Sequence, residues 1–361
     1  NFGNTLDEIT KDGFHISAEV KIEMDASSLE ANVQAIGTGI LSIGKVLNKI
    51  KPDMIVVYAD RFEGFSAVIA ATQLNIPTAH VEGGDLTEGG ALDDSVRHAM
   101  TKLAHLHFTT NQQASNRVLG MGEEGWRVHT VGFPAMDMMS EGNYATSKEI
   151  VERFSIDTDR AIVLFTQHSV TTEFNLSAEQ ITPSLNALKK LAKNGVQIIA
   201  TYPNNDAGGL SIIEKLEELI ESPVNGIQIH RSLGRYFYHG ILSLAQQKSN
   251  RVVCVGNSSS GIKETPFFGC PTVNIGSRQQ GRLRGKNVID CDYKEQSIFS
   301  AVIRCIEDDE FRDTCSGTDN PYYLGNAGKK IAKVLAKIPI DNTLLRKRMM
   351  LKGEYDDGCF R

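Results

Sequence analysis

The sequence lacks the long apolar run of a membrane span and the leader of an exported protein. A transmembrane helix needs about 20 consecutive apolar residues, and no stretch of the 361 residues approaches that length. The opening residues, NFGNTLDEIT, do not carry the apolar core of a signal peptide. We therefore expect no membrane partner and a cytoplasmic location.

Cysteine is absent from the first half of the chain and never occurs as a CxxC pair. Because that spacing marks many zinc sites and redox centres, we expect neither a metal nor a disulfide framework. Two of the cysteines stand in apolar strand or turn segments, which favours buried free thiols. The six positions are Cys254, Cys270, Cys291, Cys305, Cys315 and Cys359.

An excess of positive charge is also missing, since the formal net charge is -6. Nucleic acid is therefore not an expected partner, and a nucleotide ligand would have to be held by local positive sites. The composition, 41% hydrophobic and 23% charged, is ordinary for a globular protein, and the length allows two packed domains. No internal repeat or low-complexity segment is present.

Short apolar runs alternate with amphipathic segments, which predicts the fold class: α/β with two Rossmann-like domains. A polar linker, SIDTDR, precedes the new apolar run AIVLF. We place an N-terminal domain at 1–157 and a nucleotide-binding domain at 158–325. A C-terminal helix and tail at 326–361 would cross back to the first domain. Because the opening residues hold no strand or Gly-rich turn, we expect a first strand and Gly-rich loop to lie upstream of this sequence.

The apolar residues of 28–50 recur in steps of four and three, which predicts one long amphipathic helix. Two glycines within it, Gly37 and Gly39, indicate close approach to another helix. The tail from Asn342 onwards is charged and is predicted to be irregular.

The stretch RVVCVGNSSSGIKETPFFG is predicted to fold as a buried strand, a polar turn and a short helix that ends at Gly269. Small residues at Asn257, Ser258 and Ser259 let N–H groups and hydroxyls converge on an anion, most naturally a phosphate. Glu264 lies where an acceptor for ribose hydroxyls would be placed. The alternative is a serine-rich helix cap without a ligand.

A second buried strand, PTVNIG, leads into the basic segment SRQQGRLRGKN. Its arginines, including Arg278, have the forked geometry that suits phosphate oxygens, whereas the alternative is an ordinary solvated loop.

Carboxylates follow two successive predicted strands, MIVVY and IPTAHV, as Asp60 and Glu82. The carboxyl ends of parallel strands are where open α/β sheets bind ligands, and paired carboxylates there are suited to removing and returning a proton. The alternative for Asp60 is a helix N-cap. Acidic residues around 85–94 lack the convergent spacing of an oxygen-ligated metal site, so no metal is expected. His168, at the end of another strand, is a candidate phosphate partner or general acid.

Six blocks occur in order along the chain: DRFEG, HVEGG, DDSVRHAMTKLAH, QHSVTTE, YPNNDAG and GNSSSGIKE. Together they resemble the UDP-N-acetylglucosamine 2-epimerases, specifically the hydrolysing branch that supplies N-acetylmannosamine or a related sugar for sialic-acid-type biosynthesis. The resemblance implies a GT-B-like fold, in which two Rossmann-like domains face each other across a cleft. It also implies a nucleotide-sugar substrate carried on UDP or GDP, no cofactor, and a homodimer or homotetramer.

The resemblance implies elimination of the nucleotide to give a 2-acetamidoglucal, followed by hydration to the free sugar. It assigns catalysis to Asp60, Glu82, Asp94 and His168. The substrate- and nucleotide-binding residues would be Arg61, Arg97, Asn204, Asp206, Tyr236, Asn257, Ser258, Ser259, Glu264 and Arg278.

The strings DDSVRHA and HSVTT favour the hydrolysing branch, because non-hydrolysing relatives carry PEExNR-like and HRREN-like strings there. A non-hydrolysing epimerase, a GT-B glycosyltransferase and a nucleotide-sugar-binding protein without catalysis are the alternatives. The sequence departs from the family in lacking a GTRAD-like loop, in a longer HVEGGDLTEGGALDD loop, and in HSVTT where HPVTT is commoner.

Overall fold

The computed structural model describes residues 9–10, 12–22, 29–87 and 92–351, and the predicted features at 1–8 and 88–91 lie outside them. The chain forms two compact units. The N-terminal unit is assembled from Asp12–Asp137 and Tyr322–Arg361, and the C-terminal unit consists chiefly of Met138–Pro321.

Every strand pairs in parallel with its neighbours. The N-terminal unit has a sheet in the order β1-β2-β3-β4, and the C-terminal unit has one in the order β10-β9-β8-β5-β6-β7. The strands are β1 Ile55–Tyr58, β2 Thr78–Val81, β3 Leu106–Thr109, β4 Val128–Thr130, β5 Ile162–Thr166, β6 Gln197–Thr201, β7 Ile227–His230, β8 Val252–Gly256, β9 Thr272–Ile275 and β10 Val288–Cys291.

Helices connect most of these strands, as is usual for parallel pairing, whereas a loop without a helix joins β9 to β10. They are α1 Leu29–Ile50, α2 Phe62–Gln73, α3 Leu92–Leu103, α4 Gln112–Gly120, α5 Ala135–Ser140, α6 Ser147–Phe154, α7 Ser177–Lys193, α8 Gly209–Glu221, α9 Gly234–Ser243, α10 Ser260–Lys263, α11 Glu295–Glu307, α12 Asp309–Ser316, α13 Ala327–Leu335 and α14 Asn342–Leu345. None of the helices in the described ranges has the length and apolar character needed to cross a membrane.

The central strands of the C-terminal unit are buried on both faces, because helices cover both sides of a parallel sheet. All residues of β5, β6 and β8 are buried. On one face, alternate strand residues such as Val163 and Phe165 pack against α7, α8 and α11 through Leu188, Leu216 and Val302. This core holds the carboxyl ends of the strands in fixed positions.

In the N-terminal unit, α1 and α2 cross closely at one of the two predicted glycines. A Cβ at Gly39 would lie 2.7 Å from Oγ of Ser66, so only glycine fits there. The hydroxyl of Ser66 donates to the carbonyl of Ile36 across the contact at 3.2 Å. The prediction for Gly39 is confirmed. The prediction for Gly37 is wrong, because a Cβ there would meet nothing within 4 Å.

The last described residues pack on the N-terminal unit. Helix α13 covers one face of its sheet, where Ile331 and Val334 pack against Leu106 and Phe108. The fully buried guanidinium of Arg127 donates to carbonyl oxygens of 343, 344 and 346 at 2.8–3.3 Å. The predicted irregular tail is therefore wrong for Asn342–Leu345, which forms a short helix with its N-cap at Asp341, whereas 346–351 has no regular secondary structure.

Five cysteines lie in the described residues, and all are free thiols, four of them buried. This confirms the predicted burial for Cys254 and Cys270. Burial raises the pKa of the Cys254 thiol to about 12, which makes it unreactive. Cys359 lies outside the described residues.

Candidate active site

Asp60 and Glu82 follow neighbouring strands of the N-terminal unit. Strands β1 and β2 pair in parallel with Tyr58 opposite Val81, and Ala59 N–H donates to the carbonyl of Val81 at 3.0 Å. Both carboxylates therefore emerge at the same edge of the sheet. Helix α2 has Arg61 rather than Asp60 at its N-cap, so the cap alternative for Asp60 does not apply.

Both strands end in a backbone conformation that is unusual for residues with a side chain. Ala59 has φ of 58° and Glu82 has φ of 68°. A non-glycine residue in the left-handed region costs about 1–3 kcal/mol, and such strain is concentrated at functional sites. The conformation turns the chain sharply after each strand, and Glu82 is 7% exposed.

Arg97 of α3 lies at the centre of this edge with its guanidinium almost fully buried. It forms a short ion pair with Asp60 and a second with Asp94 at 2.6 Å. It also donates to the carbonyl of Asp85 at 2.8 Å and to Oγ1 of Thr87 at 3.1 Å. The buried guanidinium thus fixes Asp60 and favours its ionised form.

Asp94 is 3% exposed, and its Oδ1 accepts both the Arg97 N–H and the backbone N–H of Thr87, the latter at 2.7 Å. These contacts orient Arg97 and the preceding loop. Its predicted catalytic role stays a prediction. Arg61 lies on the exposed side of the same edge, 3.5 Å from Glu63. Among the described residues, no group of acidic, histidine or cysteine side chains has a metal-binding arrangement.

His80, on β2, holds the turn that carries Asp60. Its Nε2 lies 2.8 Å from the carbonyl of Ala59. Burial lowers the pKa of His80 to about 4, because a charged imidazole would lose its hydration, so the ring is neutral near pH 7.

In the C-terminal unit, the candidate phosphate turn lies where the strand order changes direction. Strands β5 and β8 are neighbours in the sheet although β6 and β7 lie between them in the chain, and Thr166 lies opposite Gly256. Ligands of open α/β sheets bind outside the carboxyl ends of the strands at such a switch point. Gly256 has φ of 132°, and a Cβ there would lie 1.8 Å from the carbonyl oxygen of Thr166. No other residue fits this position.

Asn257 and His168 follow these two strands, and the side chain of Asn257 binds the backbone of His168. Oδ1 of Asn257 accepts His168 N–H at 2.6 Å, and its Nδ2 donates to the carbonyl of His168 at 2.9 Å. Nδ1 of His168 accepts the backbone N–H of Asn204 at 3.0 Å. Because Nδ1 is an acceptor, the proton of the neutral ring is on Nε2. His168 can therefore donate a hydrogen bond from Nε2.

The serine turn is followed by a shorter helix than predicted. Helix α10 ends at Lys263, and a separate 3₁₀ turn, Thr265–Phe268, leads to Gly269 with φ of 61°. Ser259 is the N-cap of α10 but makes no side-chain cap bond, which argues against the ligand-free cap alternative. The Ser260 hydroxyl lies 3.0 Å from that of Ser258, and Tyr238 Oη lies 2.6 Å from Ser260 Oγ.

Arg278 is the arginine of the basic segment that reaches this turn. It donates to the carbonyl of Asn257 at 3.2 Å and lies 3.8 Å from Asp206. Asp206 in turn accepts a short hydrogen bond from Asn204. Arg284 is instead paired with Asp290.

Two other predicted residues contact different neighbours. Oε2 of Glu264 lies 3.0 Å from Nε2 of His239. Tyr236 is 37% exposed, and its hydroxyl donates to Glu149 of α6 at 3.2 Å. The predicted part of Tyr236 in binding the substrate or nucleotide stays a prediction.

Sequence reasoning missed the side chains that hold these groups in place. Gln279 is fully buried and donates to the carbonyl of Asn257 at 2.8 Å, and His80, Tyr238 and His239 were assigned no role. The only available signal was a polar residue within an otherwise apolar strand or helix.

These two sheets, with a carboxylate pair at one strand edge and an anion turn at a switch point, define an α/β protein of the nucleotide-binding class. A family model described as UDP-N-acetylglucosamine 2-epimerase matches residues 1–336, and the chain belongs to this family. The resemblance found in the sequence is thereby confirmed.

Two curated relatives are similar over nearly the whole chain. The UDP-N,N'-diacetylbacillosamine 2-epimerase (hydrolyzing) of Legionella pneumophila is 32% identical over 346 residues, 96% of this chain and 87% of that protein. The GDP/UDP-N,N'-diacetylbacillosamine 2-epimerase (hydrolyzing) of Campylobacter jejuni is 32% identical over 349 residues, 97% of this chain and 88% of that protein.

The fold is also that of a solved relative. The UDP-GlcNAc 2-epimerase of Neisseria meningitidis, crystallised with UDP-GlcNAc, has a TM-score of 0.76 at 20% identity and covers 92% of this chain and 89% of that one. The predicted α/β class with two Rossmann-like units is confirmed.

Proposed function

We propose that the chain is a hydrolysing 2-epimerase. It would convert a UDP- or GDP-linked 2-acetamido sugar into the free 2-epimer, of the N-acetylmannosamine type, and the nucleoside diphosphate. The observation that carries the proposal is the carboxylate pair Asp60 and Glu82 at neighbouring strand ends, with Asp60 bound to a buried guanidinium.

The first step is an elimination. A carboxylate removes the proton from C2, the bond between C1 and the diphosphate oxygen breaks, and a double bond forms between C1 and C2. The products are a 2-acetamidoglucal and the nucleoside diphosphate. His168 supports the departure of the diphosphate, because its Nε2–H can donate to a developing phosphate anion.

The second step is hydration of the glycal. The other carboxyl group, in its acid form, delivers a proton to C2 from the opposite face, so the configuration at C2 is inverted. Water adds its oxygen to C1, and the proton that the water loses restores the acid form of that carboxyl group. Two carboxyl groups are required because one group cannot serve both faces. Arg97 fixes the Asp60 carboxylate in place for one of these two proton transfers.

We assign nucleotide binding to the C-terminal unit. Ser258 and Ser259 provide hydroxyls for the phosphates, Arg278 provides positive charge, and Glu264 accepts the ribose hydroxyls. The N-terminal unit provides the groups for the sugar ring. Asp94 contributes through Arg97, which it orients.

Release of the free sugar is supported by the two relatives that are named as hydrolyzing. The strings DDSVRHA and HSVTT favour the same branch. Asp94 and Arg97 lie in the string DDSVRHA, and Arg97 forms the ion pair with Asp60. The string that favours the hydrolysing branch therefore also contains the residue that binds Asp60.

The test is a panel of UDP- and GDP-linked 2-acetamido sugars, including UDP-N-acetylglucosamine and UDP-N,N'-diacetylbacillosamine, incubated with the protein in heavy water. We expect free nucleoside diphosphate and a reducing 2-epimer that carries one deuterium at C2, measured by mass spectrometry. Recovery of an intact, epimerised nucleotide sugar would contradict hydrolysis. Turnover that requires an added acceptor would indicate a transferase.

A further inference from the structure

The carboxylate of Glu264 is held by one side chain. Among the described residues, its hydrogen-bond partner is Nε2 of His239, at 3.0 Å from Oε2. The two side chains are 15% and 4% exposed, respectively. His239 comes from the middle of α9, and its ring lies beside that of Phe268, with 6.2 Å between centroids. The imidazole is therefore fixed by packing before it contacts the carboxylate.

Nε2 of His239 is the nitrogen that contacts the carboxylate, and its N–H donates to Oε2 of Glu264. Nδ1 is buried and has no hydrogen-bond partner in the part of the chain that the structure describes. The single bond from Nε2 therefore orients Glu264 and leaves the other lone pairs of the carboxylate available to a ligand.

The neighbouring residue on α9 does the same for the serine turn. Tyr238 Oη lies 2.6 Å from Ser260 Oγ, which lies 3.0 Å from Ser258 Oγ. Two successive residues of one helix thus align the candidate phosphate hydroxyls and the candidate ribose acceptor. Because Tyr238 and His239 both belong to α9, this one helix positions both groups.

We propose that His239 is a positioning residue that fixes Glu264 for a contact with both ribose hydroxyls, and so sets a preference for ribonucleotides over 2′-deoxyribonucleotides. The inference rests on the proposed function through its assignment of Glu264 to the ribose. The last torsion of a glutamate side chain is broad. Without His239 the carboxylate would rotate away from the geometry that accepts two hydroxyls at once.

Two amide substitutions separate the hydrogen bond from polarity alone. In His239→Gln the side-chain amide nitrogen occupies about the position of Nε2 and can still donate to Glu264. In His239→Asn the amide nitrogen occupies about the position of Nδ1 and falls short of it. We would measure binding of UDP, 2′-deoxy-UDP, GDP and 2′-deoxy-GDP to the wild type and both variants by titration calorimetry.

The wild type should prefer the ribonucleotide by about tenfold or more, the size expected for a hydrogen bond to a charged group. His239→Gln should keep most of this preference, and His239→Asn should lose it through weaker binding of the ribonucleotide alone. With the nucleotide sugar, His239→Asn should raise KM and leave kcat nearly unchanged.

The buried pair His107 and Glu123, 2.9 Å apart in the other unit, provides a matched control. His107→Asn should lower stability and leave the ribose preference intact. Should His239→Asn fail to fold, His239→Met fills the site without a donor and takes its place. A wild type that binds neither UDP nor GDP would remove the proposed function, and this inference with it. A wild type that binds UDP without ribose preference, or a His239→Asn protein that keeps the preference, would overturn the positioning role alone.

Discussion

The two strand-end sites are built from opposite chemistry. In the N-terminal unit, Asp60, Asp94 and a buried guanidinium at Arg97 form a network of formal charges. In the C-terminal unit, neutral groups make most of the bonds to the turn, since Asn257 is bonded to the backbone of His168 and accepts from Gln279, and Arg278 is the charged group among them. Arg97 and Asp94 are almost closed to solvent, whereas Asp60, Ser258 and His168 are partly exposed.

The difference agrees with the roles proposed for the two sites. A group that moves protons needs a defined charge in a dry environment, and buried charges are tolerated only when they are paired. A phosphate site meets a ligand that brings its own charge, so N–H groups and hydroxyls suffice without buried charge in the resting protein. The first site should therefore be sensitive to loss of a charge, and the second to loss of a neutral hydrogen bond.

The largest effect is expected from Glu82→Gln, which removes a proton-transfer group at constant size. Turnover should fall by roughly 10²–10⁴-fold, while UDP affinity remains unchanged. Rates of nucleoside diphosphate release and calorimetric UDP binding check this. A comparable fall in UDP affinity would contradict the proposal that the first site transfers protons and the second binds the nucleotide.

Asp60→Asn sharpens the same contrast by separating the two chemical steps. If Asp60 performs only the elimination, the variant should release no nucleoside diphosphate yet hydrate an added 2-acetamidoglucal. Release of nucleoside diphosphate with accumulation of the glycal would indicate that Glu82 performs the elimination and Asp60 the hydration. Mass spectrometry distinguishes the two outcomes.

Arg97→Met should destabilise the protein by about 3–5 kcal/mol, because it leaves two buried carboxylates without their cation. Denaturant unfolding followed by the fluorescence of Trp126, the one tryptophan, measures this in the N-terminal unit. Arg61→Met is the control. Its exposed pair with Glu63, at 3.5 Å, should contribute less than about 1 kcal/mol.

Acid should weaken the N-terminal unit through its buried histidines. Burial lowers the pKa of His80 and of His105 to about 4, from 6.5 in the unfolded chain. The unfolded state therefore binds more protons between pH 6.5 and 4, and stability is full above pH 6.5 and falls as the pH drops through this window. Trp126 fluorescence checks this, and His80→Gln should flatten the fall. An unchanged slope would mean that His80 is not buried as a neutral ring.

The smallest effect is expected from Asn257→Ala, which removes two neutral hydrogen bonds at His168. UDP affinity should fall by about tenfold, the value of one such bond. Asn250→Ala removes a different buried amide of the same unit, one that donates to Leu244 at 3.1 Å. It should lower stability without changing UDP affinity.

Much of this arrangement could be predicted from the sequence, because it depends on local patterns. Apolar runs marked the strands, and the residues directly after them, Asp60, Glu82 and His168, do lie at carboxyl ends. Strand β10 was not predicted, since VIDC mixes a charge into a short edge strand. The helices α8 and α12 were also not predicted.

The supporting side chains could not be predicted, because their partners are distant in sequence. Arg127 bonds to carbonyls more than 200 residues away. The contacts of His239 and Gln279 likewise form only when the segments around them pack together. Gly37 and Gly39 look alike in the sequence, and only packing shows which one faces the neighbouring helix.

The return of residues 322–351 to the N-terminal unit has a consequence for biosynthesis. Helix α13 and the segment bound by Arg127 are synthesised after the C-terminal unit, so one face of the first sheet stays uncovered until residues 322–351 have been made. The C-terminal unit, continuous over 138–321, can finish folding earlier. The N-terminal unit is thus synthesised first but completed last. A stop codon before residue 322 would therefore damage this unit more than the C-terminal unit.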